Sequence, residues 1–186
     1  MKKLHDDHRR GRPDIVHFAL MEALSTPLFL NNMLRVYVHT INDKIIAVAD
    51  NLRIPKSYFR FEGLMLNLFK DKTIKSEEGT VLMELADGTI AELLESIQPA
   101  KIIGLSTTGV SKTAEKVAGI AGKLENCTFV VGGFPRGHFT EKTTRRLGEV
   151  YSISNFGLES HVVIARLVYE CEKILLEKSV YHESDE

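Results

Sequence analysis

Three short segments carry residue types that let a chain hold a small polar ligand mainly through its backbone. Ser106-Thr107-Thr108-Gly109, Gly132-Gly133-Phe134-Pro135-Arg136-Gly137 and Asn155-Phe156-Gly157-Leu158 are rich in glycine or small hydroxyl residues. Peptide N–H and C=O groups can therefore come close to a ligand there. The segments follow short apolar runs at 102–105, 128–131 and 150–154. If those runs are parallel strands, the segments lie beyond their carboxyl ends, where α/β proteins bind ligands. The alternative is three ordinary strand-to-helix turns. None is a familiar phosphate cradle: Gly132-Gly133-x-x-x-Gly137 is not G-x-G-x-x-G, and no G-x-x-x-x-G-K-[ST] occurs. Glu159 is a poor candidate for the acid that clamps a ribose in dinucleotide sites. A nucleotide-like ligand held by backbone groups stays open.

A second set is basic: Arg12, Arg53, Lys56 and Arg60. Arg53 and Lys56 share a loop, and Arg60 follows one turn into a helix whose dipole also favours phosphate. Alone, this set reads either as a polyanion site or as a solvated face. The charge distribution is uneven: residues 1–75 carry 13 Lys/Arg against 8 Asp/Glu, and residues 76–186 carry 11 against 17, within a net charge of -1. The seven histidines lack metal-ligand spacing. Ser106 is not in a G-x-S-x-G elbow, so hydrolase chemistry has little support. Cys127 and Cys171 read as core thiols in a reducing compartment. The first residues carry no apolar stretch, so no secretory leader is expected. No apolar run reaches the ~20 residues of a membrane helix.

These groups need elements to position them. Pro13 opens a helix, with Asp14 in its first turn, that ends at Ser25-Thr26-Pro27. Residues 34–39 and 44–49 alternate as a hairpin around Ile41-Asn42-Asp43. Ser57 caps a helix with an apolar stripe of Phe61, Leu64, Met65, Leu68 and Phe69. A second hairpin turns at Glu77-Glu78-Gly79, and Thr89 caps a short helix. From residue 101 the rhythm changes to short apolar strands alternating with helices, the first helix starting at Ser111. That pattern predicts βαβ units around a parallel sheet. At 186 residues, 44% of them hydrophobic and 26% charged, the chain is a single α/β domain, with residues 33–86 an added hairpin-and-helix region. This composition excludes a disordered chain, a collagen and a coiled-coil rod.

Five motifs in order carry a resemblance: Arg12-Pro13-Asp14-Ile15-Val16-His17; Leu34-Arg35-Val36-Tyr37-Val38-His39-Thr40; Arg53-Ile54-Pro55-Lys56 with Phe59-Arg60-Phe61-Glu62-Gly63-Leu64-Met65; Val131-Gly132-Gly133-Phe134-Pro135-Arg136-Gly137; and Ser152-Ile153-Ser154-Asn155-Phe156-Gly157-Leu158. Together they closely resemble the Nep/Emg family of ribosome-biogenesis methyltransferases of the SPOUT class. The resemblance runs from Arg12 to the last helix, and the compact length is similar to the family's archaeal members. It implies a SPOUT-type sheet with a C-terminal trefoil knot, a feature periodicity cannot reveal because knotted chains are so rare. It implies a cytoplasmic homodimer acting on small-subunit ribosomal RNA, with small-subunit ribosomal proteins as further partners, beside the residue pattern's own reading of no membrane span and no metal set.

The implied reaction is methyl transfer from S-adenosyl-L-methionine to N1 of a pseudouridine, leaving S-adenosyl-L-homocysteine. The resemblance maps the cofactor onto Leu105, Ser106, Thr107, Thr108, Gly109, Gly132, Gly133, Phe134, Gly137, Ser152, Ile153, Ser154, Asn155 and Leu158. It maps RNA binding onto Arg12, Arg53, Lys56 and Arg60. Lys56 stands where many relatives have arginine, keeping the charge without the bidentate fork. Pseudouridine, unlike uridine, has a free N1 bearing a proton that must leave. A carboxylate beside N1 can orient or take it, help typically worth ~10²–10⁴-fold. Asp14, following Arg12-Pro13, is the candidate catalytic residue; its other reading is a helix-start acid holding local structure. An RNA-binding assembly factor with little catalysis is the alternative function, disfavoured by the intact glycine loops.

Overall fold

The computed structural model describes residues 12–50 and 52–182, and side chains up to residue 176. Two compact units emerge, one spanning Leu20–Gln98 and the other joining the chain before residue 20 to the residues from Pro99 onward. Helix α1 (Pro13–Ala23) starts on its proline, whose fixed φ suits a first helical turn, and carries Asp14 in that turn.

In the unit Leu20–Gln98, α2 (Pro27–Leu30) is a single turn that the sequence pattern missed. Ser25-Thr26-Pro27 reads as a stop, but Thr26 Oγ1 accepts the Phe29 N–H at 3.4 Å and Pro27 occupies the first turn. The residues that end α1 therefore also start α2. β1 (Tyr37–His39) and β2 (Lys44–Val48) form the expected antiparallel hairpin, with Tyr37 opposite Ala47. α3 (Tyr58–Asp71) buries Phe61 and Leu68, while Phe69, at the end of the expected stripe, is exposed. Lys72 follows in the left-handed region at φ 66, so the chain turns directly into β3 (Thr73–Lys75), which pairs with β4 (Val81–Asp87).

The two hairpins are one sheet. β2 pairs with β4, Ile46 opposite Leu85, giving the antiparallel order β1-β2-β4-β3. Ile46, Met83 and Leu85 form its buried face, and α3 packs on β3 and β4. α4 (Ile90–Ile97) starts with a capping box: Thr89 Oγ1 accepts the Glu92 N–H, and the Glu92 carboxylate accepts the Thr89 N–H at 2.7 Å.

The other unit contains β5 (Lys101–Ser111), α5 (Ala114–Ala121), β6 (Cys127–Val131), α6 (Glu141–Thr144), β7 (Glu149–Ser152) and α7 (Ser160–His182). The alternation builds a parallel sheet of order β6-β5-β7, so the expected α/β class with a parallel sheet holds. The helix expected from Ser111 starts at Ala114, capped by Thr113 Oγ1 accepting the Lys116 N–H. It starts late because residues 101–111 continue as strand. α5 packs along α7; Val117, Ala118, Leu167 and Cys171 are buried.

The central strand has one irregularity that shapes everything beyond it. Leu105 registers with Tyr151 of β7, and so does Val110. The intervening Ser106–Thr107–Thr108–Gly109 carries no pairing to β7 and leaves the sheet as a bulge closed on itself: Thr108 N–H donates to Ser106 Oγ at 3.3 Å, and the two hydroxyls lie 3.0 Å apart. The return requires glycine at 109, where a Cβ would sit 2.6 Å from the Tyr151 carbonyl carbon and 2.7 Å from its Cα and N. Those are backbone atoms in a paired strand and cannot move aside.

Gly109→Ala is therefore expected to destabilise the protein by about 1–3 kcal/mol, the range of overpacking. Gly119→Ala, inside α5 with nothing within 4 Å of the new Cβ, is expected to stabilise by about 0.5–1 kcal/mol. Chemical denaturation of both variants checks the opposite signs.

Candidate functional site

The carboxyl ends of β5, β6 and β7 open onto a cleft of about 390 Å³. One wall is the start of the β5 bulge, Leu105 to Thr107. A second is the segment after β6, from Val131 and Gly132 through Phe134 to Phe139. A third runs from Tyr151 at the end of β7 to Ser160 at the start of α7. Arg12 and Ile15 of the first helix and its approach complete the lining, with Val163 of α7.

Of the sequence-predicted cofactor residues, Leu105, Ser106, Thr107, Gly132, Phe134, Gly137, Ser152, Ile153, Ser154 and Leu158 come together on these walls. Thr108, Gly109, Gly133 and Asn155 stand behind or beside them. Thr108 braces Ser106 through their hydroxyls, and Gly109 permits the bulge to close. Gly133 is exposed, and the nearest atom to a Cβ built on it is a Val16 methyl at 3.9 Å.

Local hydrogen bonds fix the walls. Ser152 Oγ donates to the Ser154 carbonyl at 2.7 Å, and Phe156 N–H donates to Ser154 Oγ at 3.0 Å. Ser160 Oγ donates to the Gly132 carbonyl, tying the start of α7 to the loop after β6. Phe134 and Phe139 meet edge to face with centroids 5.9 Å apart. Phe156 is 78% exposed.

Sequence reasoning missed several wall residues. Tyr151 reads as a strand residue, yet its hydroxyl donates to Glu149 at 2.5 Å, and Glu149 also pairs with Lys101 at 3.0 Å. That acceptor raises the tyrosine pKa, and the tyrosine and Lys101 lower that of Glu149. Arg136, His138 and Glu159 bring charge or titratable groups to the cleft. Their positions in the polar segments after the strands were the available signal.

Arg12, predicted for RNA, lies on the cleft wall and is locked to Asp14. Its Nε donates to Oδ1 at 2.9 Å and to Oδ2 at 3.1 Å, and Nη2 donates to Oδ2 at 2.7 Å. This grip holds the Asp14 carboxyl below its ordinary pKa, against a smaller opposing effect of burial, and raises that of Arg12. Both Asp14 oxygens are occupied, and Asp14 is not on the cleft wall.

Arg53, Lys56 and Arg60 belong to the other compact unit. All three are exposed, before α3 and in its first turn. Phe59 between them is 82% exposed. Ser57 is the N-cap as expected, but its side chain makes no capping hydrogen bond. The cysteines are free, and burial pushes the thiol of Cys127 up to about 11 and that of Cys171 up to about 12. Both thiols stay protonated at neutral pH and are poor nucleophiles.

A parallel α/β sheet with a ligand cleft at its carboxyl edge, walled by main chain, hydroxyls and aromatic rings, defines a small-molecule-binding protein of the α/β class. The family is specific: the EMG1/NEP1 methyltransferase model matches residues 1–172, and the chain belongs to that family. It is 36% identical over 176 residues to the ribosomal RNA small subunit methyltransferase Nep1 of Thermococcus onnurineus, covering 95% of this chain and 78% of the relative. Its identity to the Saccharolobus solfataricus protein of the same name is 36% over 175 residues, 94% of this chain and 76% of the relative. The crystal structure of Archaeoglobus fulgidus Nep1 bound to S-adenosylhomocysteine is similar with a TM-score of 0.78 at 32% identity, over 94% of this chain and 76% of that one.

Two expectations follow. A Cβ at Gly132 would lie 2.7 Å from the Phe134 ring. The ring can swing away, so Gly132→Ala should fold but displace part of the cleft wall. Calorimetry with S-adenosylhomocysteine should show about tenfold or greater weakening, a loss of about 1.4 kcal/mol, while Gly133→Ala stays near wild type. Separately, the depressed Asp14 pKa means the ion pair is intact above the unfolded carboxylate value of about 3.9 and is lost as pH falls through the lower folded value. NMR titration of the Asp14 carboxyl should give a midpoint below about 3.9 that moves back up in Arg12→Ala.

Proposed function

We propose that this protein transfers the methyl group of S-adenosyl-L-methionine to N1 of a pseudouridine in small-subunit ribosomal RNA, in the course of ribosome biogenesis. The observation that carries the reading is the cleft, found in a chain of the EMG1/NEP1 methyltransferase family whose Archaeoglobus fulgidus relative holds S-adenosylhomocysteine. The residues present fit such a cofactor. Leu105, Gly132 and Ser152 to Ser154 offer main chain and hydroxyls for its polar groups, and Phe134 and Phe139 offer apolar surface. When bound, the cofactor supplies an electrophilic methyl on a sulfonium.

The chain's own groups do the rest. Arg12 at the cleft wall binds the RNA, and Asp14 positions the Arg12 guanidinium by its two-point grip. Asp14 thus acts on the reaction through Arg12. On the other compact unit, Arg53, Lys56 and Arg60 engage RNA phosphates. The proposal includes the SPOUT-type arrangement with its trefoil knot in the loops after β5, β6 and β7, the homodimer, a cytoplasmic setting, and small-subunit ribosomal proteins as neighbours of the bound RNA. No helix among the described residues is long and apolar enough to cross a membrane.

The direct test uses matched RNA hairpins carrying pseudouridine or uridine, with methylation read by mass spectrometry. Only the pseudouridine hairpin should gain a methyl group, because only its N1 is free. Methylation of neither would overturn the reading. Arg53→Ala and Arg60→Ala should each weaken hairpin binding and reduce the salt slope by about one unit, as measured by binding titrations across a salt series.

A further inference from the structure

Few groups on the cleft wall can take a proton. Arg12 and Arg136 are cations, and the Tyr151 hydroxyl is committed to Glu149. Asp14 lies off the wall with both oxygens held by Arg12. His138 and Glu159 are left.

Glu159 is the only carboxylate among the described lining residues. Its side chain is exposed and makes no side-chain hydrogen bond or ion pair to another described residue. It lies close enough to Arg12 for the two charges to act on each other. Its backbone is anchored on the C-terminal side. The Glu159 carbonyl accepts the Val162 and Val163 N–H groups at 3.0 and 3.1 Å, and the next residue, Ser160, is tied to the loop after β6. This anchoring keeps the start of α7, and with it the exposed carboxylate of Glu159, at a wall of the cleft that Arg12, proposed to hold RNA, also lines.

We infer that Glu159 is a catalytic residue, the acceptor of the N1–H of the target base and of its proton during transfer. The inference rests on the methyltransferase reading above. The step balances: the N1–carbon bond forms as the carbon–sulfur bond of the sulfonium breaks, and that electron pair stays on sulfur as a neutral thioether. The N1 proton passes to a Glu159 oxygen and then to water. His138, exposed in the segment after β6, has no comparable tie holding its backbone to a second wall.

The test uses hairpins carrying pseudouridine or N1-methylpseudouridine and the variants Glu159→Gln, Glu159→Ala and His138→Ala. In single turnover Glu159→Gln should lose about 10²–10⁴-fold in rate, the usual share of general-base help, with unchanged affinity for S-adenosylhomocysteine. Binding gives a second readout independent of turnover. The wild type and Glu159→Gln should prefer the pseudouridine hairpin, because the amide oxygen still accepts N1–H, and Glu159→Ala should lose the preference. A wild-type rate in Glu159→Gln, or that same loss in His138→Ala alone, overturns the assignment. A parallel loss of S-adenosylhomocysteine affinity makes Glu159 a cofactor contact and overturns it too. A wild type silent on the pseudouridine hairpin defeats the underlying function instead.

Discussion

The structure depends on one steric constraint, the double registration of β5 on Tyr151. A strand that leaves its neighbour at Leu105 and returns to the same residue at Val110 must pass its own backbone against that neighbour's backbone. Only glycine at 109 permits the approach. The bulge released by this crossing is the first wall of the cleft, and Tyr151 itself stands where the third wall begins. Small hydroxyl residues suit that excursion because they satisfy each other locally, as Ser106 and Thr108 do.

Charge is arranged by a different logic in the two units. Near the cleft, one cation, Arg12, is paired before any ligand arrives. Arg12 is oriented by a carboxylate two residues along, so less side-chain freedom is lost when it meets an anion. Around the start of α3, Arg53, Lys56 and Arg60 stand exposed in water, suited to the long-range attraction of a polyanion and sensitive to salt. One arrangement serves geometry and the other serves encounter. The net charge of -1 conceals both.

Much of this was legible from residue order alone. The apolar runs at 102–105 and 128–131 and the helices between them produce a parallel sheet because both faces of such strands are covered. Periodicity also found both hairpins. It missed their union through Ile46 and Leu85, because pairing between strands 35 residues or more apart leaves no local trace. It missed α2, where Thr26 both ends one helix and caps the next. The loops that line the cleft were legible by their glycines and hydroxyls. In the sequence Glu159 reads only as a poor ribose clamp, since nothing in a linear pattern says that a residue before a helix lines a cavity. Asp14 was legible as an acid beside Arg12, but the occupation of both its oxygens is a matter of three-dimensional geometry.

The cleft draws on segments far apart in sequence. Arg12 and Ile15 come from the approach to α1 and its first turn, and Glu159, Ser160 and Val163 from the start of α7. During synthesis no nascent chain that stops short of β7 and of the tie from Ser160 to Gly132 contains a complete cavity. A ligand of the finished cleft therefore binds the native state alone and adds its stabilisation, RT ln(1 + [L]/Kd), to the last assembly step. The small molecule then works as a clasp that joins segments far apart in sequence, and local opening of either segment becomes as rare as release of the ligand makes it.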